Sequence, residues 1–241
     1  MSSVIRPSLV ALSDHVSHWD RMQISANNLA NQGTIGFRSM LQSRSEVSTK
    51  KDGQEPVSFA KSSPIYIDLK SGGFEETDNP LSISLSGEGF MCVKTNEGDK
   101  YVRSAQFFKS TEGIVIDSNG NPLQGENGNI EIDEDVNIIE ISNSGVVSTK
   151  NGIIGKIKVV TFEEPNKLQH AGNGMYRTNQ GEIEAKDTKV LQGKLESSNV
   201  TAIIEITESM KALRQFEATQ RLMDMDEQNQ QSMISASARN V

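Results

Sequence analysis

The sequence changes its hydrophobic period twice: both ends of the chain repeat at helical spacing, and the middle alternates like β-strands. Near the N-terminus, the residues that recur every three or four positions are Ile5, Leu9, Leu12, Val16, Trp19, Met22, Ala26 and Leu29. This spacing places them along one face of an amphipathic helix. The helix is predicted to stop at a cluster of asparagines, because Asn forms helix poorly and Gly33 suits the left-handed position after a helix.

A second helical pattern occupies the C-terminal part of the chain, from about residue 195 to about 235. We predict that apolar residues of the two patterns form helix-to-helix seams: Leu9, Leu12, Val16, Trp19, Ile203, Ile206, Met210 and Leu213. Ordering a helix of about 24 residues costs at least as much free energy as burying one such stripe gains. We therefore expect the two ends to be disordered alone and to fold on assembly.

Between the helices, short alternating runs are separated by Asn-Gly and similar turn signals, which favours antiparallel strands. The predicted fold is mainly β: a compact antiparallel β-domain inserted between amphipathic N- and C-terminal helices, which form a coiled-coil-like inner region on assembly. The expected domains are a helix at 1–34, an extended connector with short strands at 35–80, a β-rich outer domain at 81–192 and a helix at 193–241.

Charge and composition limit the possible partners. The net charge is −8 and the basic residues are scattered, which argues against nucleic acid as a ligand. No apolar run approaches the roughly 18 residues of a membrane span, so no membrane insertion is expected. Asp14 and His15 interrupt the N-terminal apolar run before a secretory leader could form. The chain is therefore expected to be cytoplasmic or exported without a cleaved leader.

We searched the sequence for catalytic and metal-binding patterns. Asp117 begins a stretch like a calcium loop, but Pro122 replaces the required glycine, which favours a tight turn. His15 and His18 lie three residues apart without a third ligand at a compatible spacing, which favours a solvated helix flank. No nucleophile, phosphate-loop or metalloprotease motif is present. We predict no catalytic residue, no metal site and no cofactor.

Three stretches, one towards the N-terminus and two towards the C-terminus, carry a resemblance. "ANNLANQGTIGFRS" resembles the N-terminal signature of the axial proteins of the bacterial flagellum, which comprise rod, hook and hook-associated proteins. "LQGKLESSNV" and "RQFEATQRLM" are similar to the C-terminal signature of the same family. The residues that match are Asn27, Asn28, Leu29, Ala30, Asn31, Gly36, Phe37, Arg38, Leu195, Glu196, Ser198, Asn199, Val200, Phe216 and Glu217.

The segments 77–93 and 101–125 also resemble stretches of this family, with some departures in predicted turns. Ser104 and Ala105 stand where Asn-Gly is usual, and Asp78 replaces a glycine. A hook protein would need a large outer domain, for which 241 residues leave no room. The stretch after Arg38 lacks the tyrosine-bearing segment associated with the distal rod. The resemblance is greatest to the proximal-rod members, F type.

This resemblance implies a structural subunit of the rod, which crosses the periplasm and transmits torque. The implied partners are further copies of the chain, other rod and hook-basal-body subunits, and the flagellar type III export apparatus. It also implies that the terminal helices pair in an inner tube and that the β-domain faces outward. We expect Phe37 to be an apolar anchor where the connector turns towards the outer domain.

Three alternatives remain open from the sequence. One is a distal-rod or other axial component. Another is a β-rich periplasmic or cell-surface binding module, which would need an exposed aromatic platform. The third is a secreted hydrolase, for which no constellation of residues was found.

Overall fold

The computed structural model describes residues 7–49, 57–133 and 138–239. Two α-helices in this part flank a long series of strands: α1 Pro7–Ala30 and α2 Ala202–Arg239. The strands are β1 Met40–Thr49, β2 Val57–Ile67, β3 Phe74–Glu76, β4 Ser82–Ser86, β5 Phe90–Thr95, β6 Gly98–Val102, β7 Ser104–Gln106, β8 Phe108–Lys109, β9 Val115–Ile116, β10 Gln124–Gly125, β11 Gly128–Asn129, β12 Ile139–Ile141, β13 Val146–Thr149, β14 Gly152–Lys156, β15 Val159–Thr161, β16 Gln169–Gly172, β17 Met175–Arg177, β18 Ile183–Glu184, β19 Lys189–Gln192 and β20 Lys194–Glu196. A short 3-10 helix spans Pro165–Lys167. The prediction of a mainly β chain with one helix at each end is confirmed.

The chain divides into two compact units. The helix unit contains the chain up to Ala30, the segment Met40–Ile65 and the chain from Thr201 onward. The β unit contains Asn31–Ser39 and Tyr66–Val200. Each unit therefore takes residues from both halves of the sequence, and one of the four boundaries along the chain, after Ile65, falls inside strand β2.

In the helix unit, α1 and α2 pack against each other in antiparallel directions. The side chain of Asn28, near the end of α1, reaches Glu205, near the start of α2, at 3.0 Å. Further along, the ring of His15 stacks on that of Phe216, with centroids 3.8 Å apart. At about 1.5 Å per residue, α1 is roughly 36 Å long and α2 roughly 57 Å long. Their α-helical conformation agrees with the sequence period.

Most of the residues that α1 and α2 bury are small or polar, with Ile24 as the apolar exception on α1. On α2, the side chain of Ala212 is 2% exposed, whereas that of Ile203 is 76% exposed. On α1, His18, Ser25 and Asn28 are buried. The expectation that His18 lies on a solvated flank was therefore wrong. Its face looked like a flank because it is polar, and it is the face that packs in the helix unit.

The segment expected to be an extended connector contains the two longest strands of the described chain. Strands β1 and β2 pair with each other in a two-stranded sheet. The sequence of β1, "MLQSRSEVST", holds few apolar residues and gave little strand signal, whereas β2, "VSFAKSSPIYI", ends in the stretch "PIYI", which alternates as a strand does. Each strand of a two-stranded ribbon bonds its partner along one edge, and the backbone groups of the other edge can bond to water, so such a ribbon needs no apolar face over its whole length.

In the β unit, the paired strands whose registers are described run antiparallel. The widest sheet has the order β16-β17-β6-β5-β15-β18, and two three-stranded sheets have the orders β19-β4-β7 and β12-β13-β14. Short pairs join β3 to β20, β8 to β9 and β10 to β11. Many turns between these strands contain a glycine with positive φ, as the Asn-Gly signals of the sequence indicated.

The core of the β unit contains two hydrophobic clusters, and β5 contributes to both. Met91 and Val93 belong to the larger cluster, whereas Phe90 and Cys92 belong to the smaller one. This alternation is the period of two that a strand requires. Because both faces of β5 are covered, its sequence "FMCV" is continuously apolar rather than alternating.

Candidate functional site

A buried ion-pair network brings together the N-terminal and C-terminal signature segments within the β unit. Arg38 follows the turn after α1, and Glu196 ends strand β20. An Arg38 Nη2 donates to Glu196 Oε1 at 2.9 Å, and the two side chains are 3% and 1% exposed. Arg103 Nε lies 3.4 Å from the other carboxylate oxygen of Glu196. We call Arg38, Arg103 and Glu196 the buried triad.

Neighbouring backbone groups complete the surroundings of Glu196. Its carboxylate accepts the N–H of Gly72 at 3.2 Å, and its own backbone N–H donates to the hydroxyl of Ser104 at 2.9 Å. Its backbone carbonyl accepts the N–H of Gly36 at 2.8 Å. Residues from four separate stretches of chain therefore meet at one glutamate. Removing this carboxylate would leave two guanidinium groups without their buried counter-charge.

Arg103 is the triad residue that the sequence analysis did not single out. Its guanidinium donates to the carbonyls of Gly89 and Leu85 and lies 5.5 Å from the centroid of the Phe90 ring. Burial, reinforced by Arg38 and partly offset by Glu196, lowers the pKa of Arg103 to about 10. The arginine lay inside the recognised stretch "YVRSAQFF", but its buried partner is far away in sequence.

The segment Gly36–Ser39 is buried in the β unit beside Tyr176. The Tyr176 hydroxyl donates to the carbonyl of Gly36 at 2.9 Å and accepts the N–H of Arg38 at 2.8 Å. Burial raises the pKa of Tyr176, so its hydroxyl keeps the proton that it donates. Gly36 has φ +67°, and an added Cβ would lie 3.1 Å from the backbone nitrogen of Ser104. These contacts explain why glycine suits this position.

Phe37 is buried at 3% exposure and stacks on the ring of His170 with a centroid separation of 4.4 Å. His170 also packs against Tyr176, at 4.9 Å between centroids. Burial lowers the pKa of His170, although a hydrogen bond with the backbone of Arg38 opposes this effect. Phe37 is thus a core side chain of the β unit.

Asn199 links the C-terminal signature to two other segments of the β unit. Its Oδ1 accepts the N–H of Ser39 at 2.7 Å. Its Nδ2 donates to the carbonyls of Lys70 and Asp68, at 2.9 and 3.3 Å. An asparagine side chain can satisfy both donor and acceptor groups in this way, which an aspartate could not do.

Asn28 has an equivalent role in the helix unit. Its Oδ1 accepts the N–H of Met40 at 2.8 Å, and its Nδ2 donates to the carbonyl of Met40 at 3.0 Å. The same Nδ2 lies 3.0 Å from Glu205 Oε1. One buried side chain thereby joins α1, the start of β1 and α2.

The other signature residues are less buried than the triad. The structure places Asn27, Ala30 and Glu217 on the surface and leaves six partly buried: Leu29, Asn31, Leu195, Ser198, Val200 and Phe216. Phe216 lies between His15 and Trp19, with a centroid separation of 5.9 Å to the Trp19 ring. The structure therefore brings some signature residues into buried networks and leaves others at the surface.

The residues predicted to form helix seams are largely exposed. Met210 is 57% exposed and Trp19 is 46% exposed, and the same holds for Leu12, Val16, Ile203, Ile206 and Leu213. The side chain of Leu9 lies outside the described part. Packing of α1 on α2 leaves these apolar side chains uncovered. Their predicted seam role stays a prediction.

The suspected calcium loop is a self-satisfied turn. Asp117 Oδ1 accepts the N–H groups of Asn119 and Asn121, both at 2.8 Å, and Oδ2 accepts Asn121 Nδ2 at 2.9 Å. This is the turn that the sequence analysis favoured over a metal loop.

Elsewhere in the β unit, possible ligand atoms of Cys92, Asp99 and Glu182 lie within 4.8 Å of one another. Glu182 already pairs with Lys158 at 2.6 Å. Burial, followed by the effect of Asp99, raises the pKa of the Cys92 thiol to about 12.

The aromatic residues of the β-region do not form the platform that a saccharide-binding module would need. Of the Phe and Tyr residues in the predicted β-domain 81–192, only Phe108 is an exposed large side chain, and the rest are buried: Phe90, Tyr101, Phe107, Phe162 and Tyr176. Neither described helix combines the length and apolar character required to cross a bilayer.

The β unit holds both signature segments in its buried network, and the two terminal helices expose apolar stripes, which agrees with the resemblance to flagellar axial subunits. Two family models match the chain: the flagellar hook protein FlgE/F/G D1 domain over residues 84–149 and the flagellar basal body rod FlgEFG protein C-terminal region over residues 191–236.

Relatives extend this similarity over most of the chain. The flagellar basal-body rod protein FlgF of Caulobacter vibrioides is 30% identical over 222 residues, which cover 89% of this chain and 91% of the relative. FlgF of Mesorhizobium japonicum is 28% identical, with 89% and 90% covered. The rod protein FlgG of Bacillus subtilis is 26% identical, with 89% and 92% covered. The chain belongs to the flagellar basal-body rod protein family, F type. It is a structural subunit of the flagellar basal-body rod.

Proposed function

We propose that this chain works in the proximal part of the rod, where its terminal helices pack with those of neighbouring subunits to form the inner wall of a tube. The observation that carries the proposal is the exposure of apolar residues on both helices, including Trp19 and Met210. Exposed apolar area of this kind is characteristic of protein-protein contacts. In such a wall, torque would pass from subunit to subunit through helix-to-helix contacts rather than through one flexible joint.

The buried triad has a mechanical role in this proposal. Arg38 follows the N-terminal signature, and Glu196 lies in the C-terminal signature. Their ion pair joins the segment that follows α1 to the segment that precedes α2, within the β unit. Phe37, which is buried on His170, would anchor the segment that follows α1. Load applied to either end of the chain would therefore reach a rigid core.

We further propose export through the flagellar type III apparatus, without removal of a leader, and assembly with other rod and hook-basal-body subunits. The family relationship supports these partners. We also propose that the chain has a structural and not a catalytic role, which fits the same family relationship.

Deletion of the gene and imaging of the basal body by electron microscopy test the proximal-rod role. We expect the loss of the proximal part of the rod together with all structures beyond it, the loss of motility, and the recovery of both when the full chain is supplied. A complete rod and normal motility in the deletion strain would contradict the proposal. Truncation only beyond the proximal rod would indicate a distal position instead.

A further inference from the structure

Methionine side chains on α2 are more exposed than those of the β unit. The sequence contains nine methionines, four of which lie between residues 210 and 233. Met210, Met225 and Met233 are 57%, 58% and 70% exposed, and they are the only methionines among the exposed large apolar side chains of the described residues. We call these three the exposed methionines.

The remaining methionines of the described chain are covered to different extents. Met91 and Met175 are buried in the larger hydrophobic cluster of the β unit. Three others are partly buried: Met22, Met40 and Met223. One molecule therefore carries both thioethers that lie at the surface and thioethers that dissolved molecules do not reach.

The orientation of α2 decides which of its methionines are covered. Ala212 is buried and marks the covered side of the helix. At about 100° per residue, Met223 lies about 20° around the helix from Ala212, whereas Met210 lies about 160° from it. Met210 is therefore on the side of α2 that the isolated chain leaves uncovered. Ile206 and Leu213 are its neighbours there at helical spacing.

Exposed thioethers can be oxidised by dissolved two-electron oxidants. Hydrogen peroxide transfers one oxygen atom to the sulfur: the S–O bond forms, the O–O bond breaks and water leaves. The sulfur is oxidised and the peroxide is reduced, so no other reactant is needed. The product, methionine sulfoxide, is polar, and methionine sulfoxide reductases convert it back to methionine. Oxidation therefore replaces an apolar side chain by a polar one in a reversible manner.

We propose that the exposed methionines form a reversible oxidation site, and that sulfoxide at these positions prevents the chain from entering the rod. This inference rests on the proposed function, in which side chains such as Met210 are covered by neighbouring molecules. A sulfoxide oxygen that is buried without a hydrogen-bond donor costs free energy, as any unpaired polar group does. In the isolated chain the same oxygen stays in water, so the fold is unaffected.

Peptide mass spectrometry of the purified full-length chain in hydrogen peroxide tests the chemical part of the proposal. We expect the exposed methionines to be oxidised about tenfold faster, or more, than Met91 and Met175. The chain in purified basal bodies should be oxidised at the exposed methionines about tenfold more slowly than the free chain, because the proposed contacts cover their sulfur atoms. Equal rates for exposed and buried methionines, or for free and assembled chain, would overturn the proposal.

Incorporation in cells tests the functional part. The deletion strain is supplied either with the unsubstituted chain or with a variant that carries Met210→Leu, Met225→Leu and Met233→Leu, since leucine is apolar and contains no sulfur. After a pulse of hydrogen peroxide during rod assembly, we expect incorporation of the unsubstituted chain into basal bodies to fall about fivefold or more. Incorporation of the leucine variant should stay within about twofold of its untreated level. Methionine sulfoxide reductases for both sulfoxide epimers should restore the unsubstituted chain.

An equal loss for the two chains would overturn the proposal, because the oxidant would then act elsewhere. Normal incorporation of chain that carries sulfoxide at all three positions would also overturn it. Neither result would affect the rod assignment, which the deletion strain tests in untreated cells.

Discussion

At the residue scale, the signature residues differ in what they do. Arg38 and Glu196 form a buried ion pair, whereas Asn27 and Glu217 lie on the surface. Buried charges without partners are costly, so a buried pair constrains its neighbours much more than a surface pair does. The structure therefore separates signature residues that hold the β unit from those that remain available to other molecules.

Replacing Glu196 by Gln is expected to lower the free energy of unfolding by about 3–5 kcal/mol, the range found when one partner of a buried ion pair is removed. Both arginines would keep their charge without the carboxylate between them. Urea unfolding followed by circular dichroism measures the change. Glu76→Gln is a matched control, because Glu76 also pairs across β3 and β20, with Lys194 at 3.0 Å, but its side chain is 81% exposed. A loss no larger than that of the control would refute the role of Glu196.

His170 predicts a pH dependence of stability. Its pKa is lowered in the folded state by burial, whereas the unfolded chain titrates near the usual 6.5. As the pH falls below about 6.5, the unfolded chain binds a proton that the folded chain resists, so stability decreases. Above that value the contribution is fully present. We expect the urea concentration at the midpoint of unfolding to decrease as the pH is lowered from 7.5 to 5.5, and to decrease less in the His170→Gln variant. Equal slopes for both proteins would rule out His170 as the source.

At the element scale, the sequence predicted which segments are helical but not which helix faces meet. Periodicity identified the apolar stripe that includes Leu12 and Val16, yet α1 turns His18, Ser25 and Asn28 inward. A stripe shows that an apolar face exists, and it does not show which neighbour covers it. The result gives physical support to the idea that the stripes serve other molecules.

The ends of the elements show a similar limit. The second helix was expected to begin near residue 195, but Lys194–Glu196 form β20 and α2 starts at Ala202. Glu196 pairs with Phe74 across β20 and β3, and its carboxylate pairs with Arg38 and Arg103. These contacts outweigh the local preference for helix at this position. Arg103 could not be identified because its partner Glu196 is distant in sequence. Strand β1 was missed because polar alternation resembles a loop.

Asn28→Ala is expected to loosen the connection between α1 and β1. The substitution removes the acceptor of the Met40 N–H and the donor to its carbonyl. Leaving such groups unsatisfied costs about 1–3 kcal/mol each in buried positions. Hydrogen exchange should show at least a tenfold faster exchange of the Met40 amide, whereas Gln23→Ala, at an exposed position of α1, should leave it unchanged. Unchanged exchange in N28A would contradict the bridging role.

At the scale of the whole molecule, the two units bury their apolar residues to different extents. The β unit covers most of its large apolar side chains in two clusters, whereas the helix unit exposes most of the large apolar residues of α2. We therefore expect limited proteolysis of the purified monomer to remove about 30 residues from each end and leave a resistant β core. Uniform resistance would count against helices that depend on assembly for their stability.

The central claim is that the exposed side chains of α2 serve assembly rather than folding, and the double substitution Ile206→Asp with Met210→Asp tests it most directly. The measurement is the amount of the variant incorporated into purified basal bodies, alongside the melting temperature of the isolated protein. We predict an unchanged melting temperature, at least a tenfold loss of incorporation and loss of motility. Normal incorporation of the variant would contradict the claim. A loss of incorporation would also contradict it if the isolated variant no longer folds.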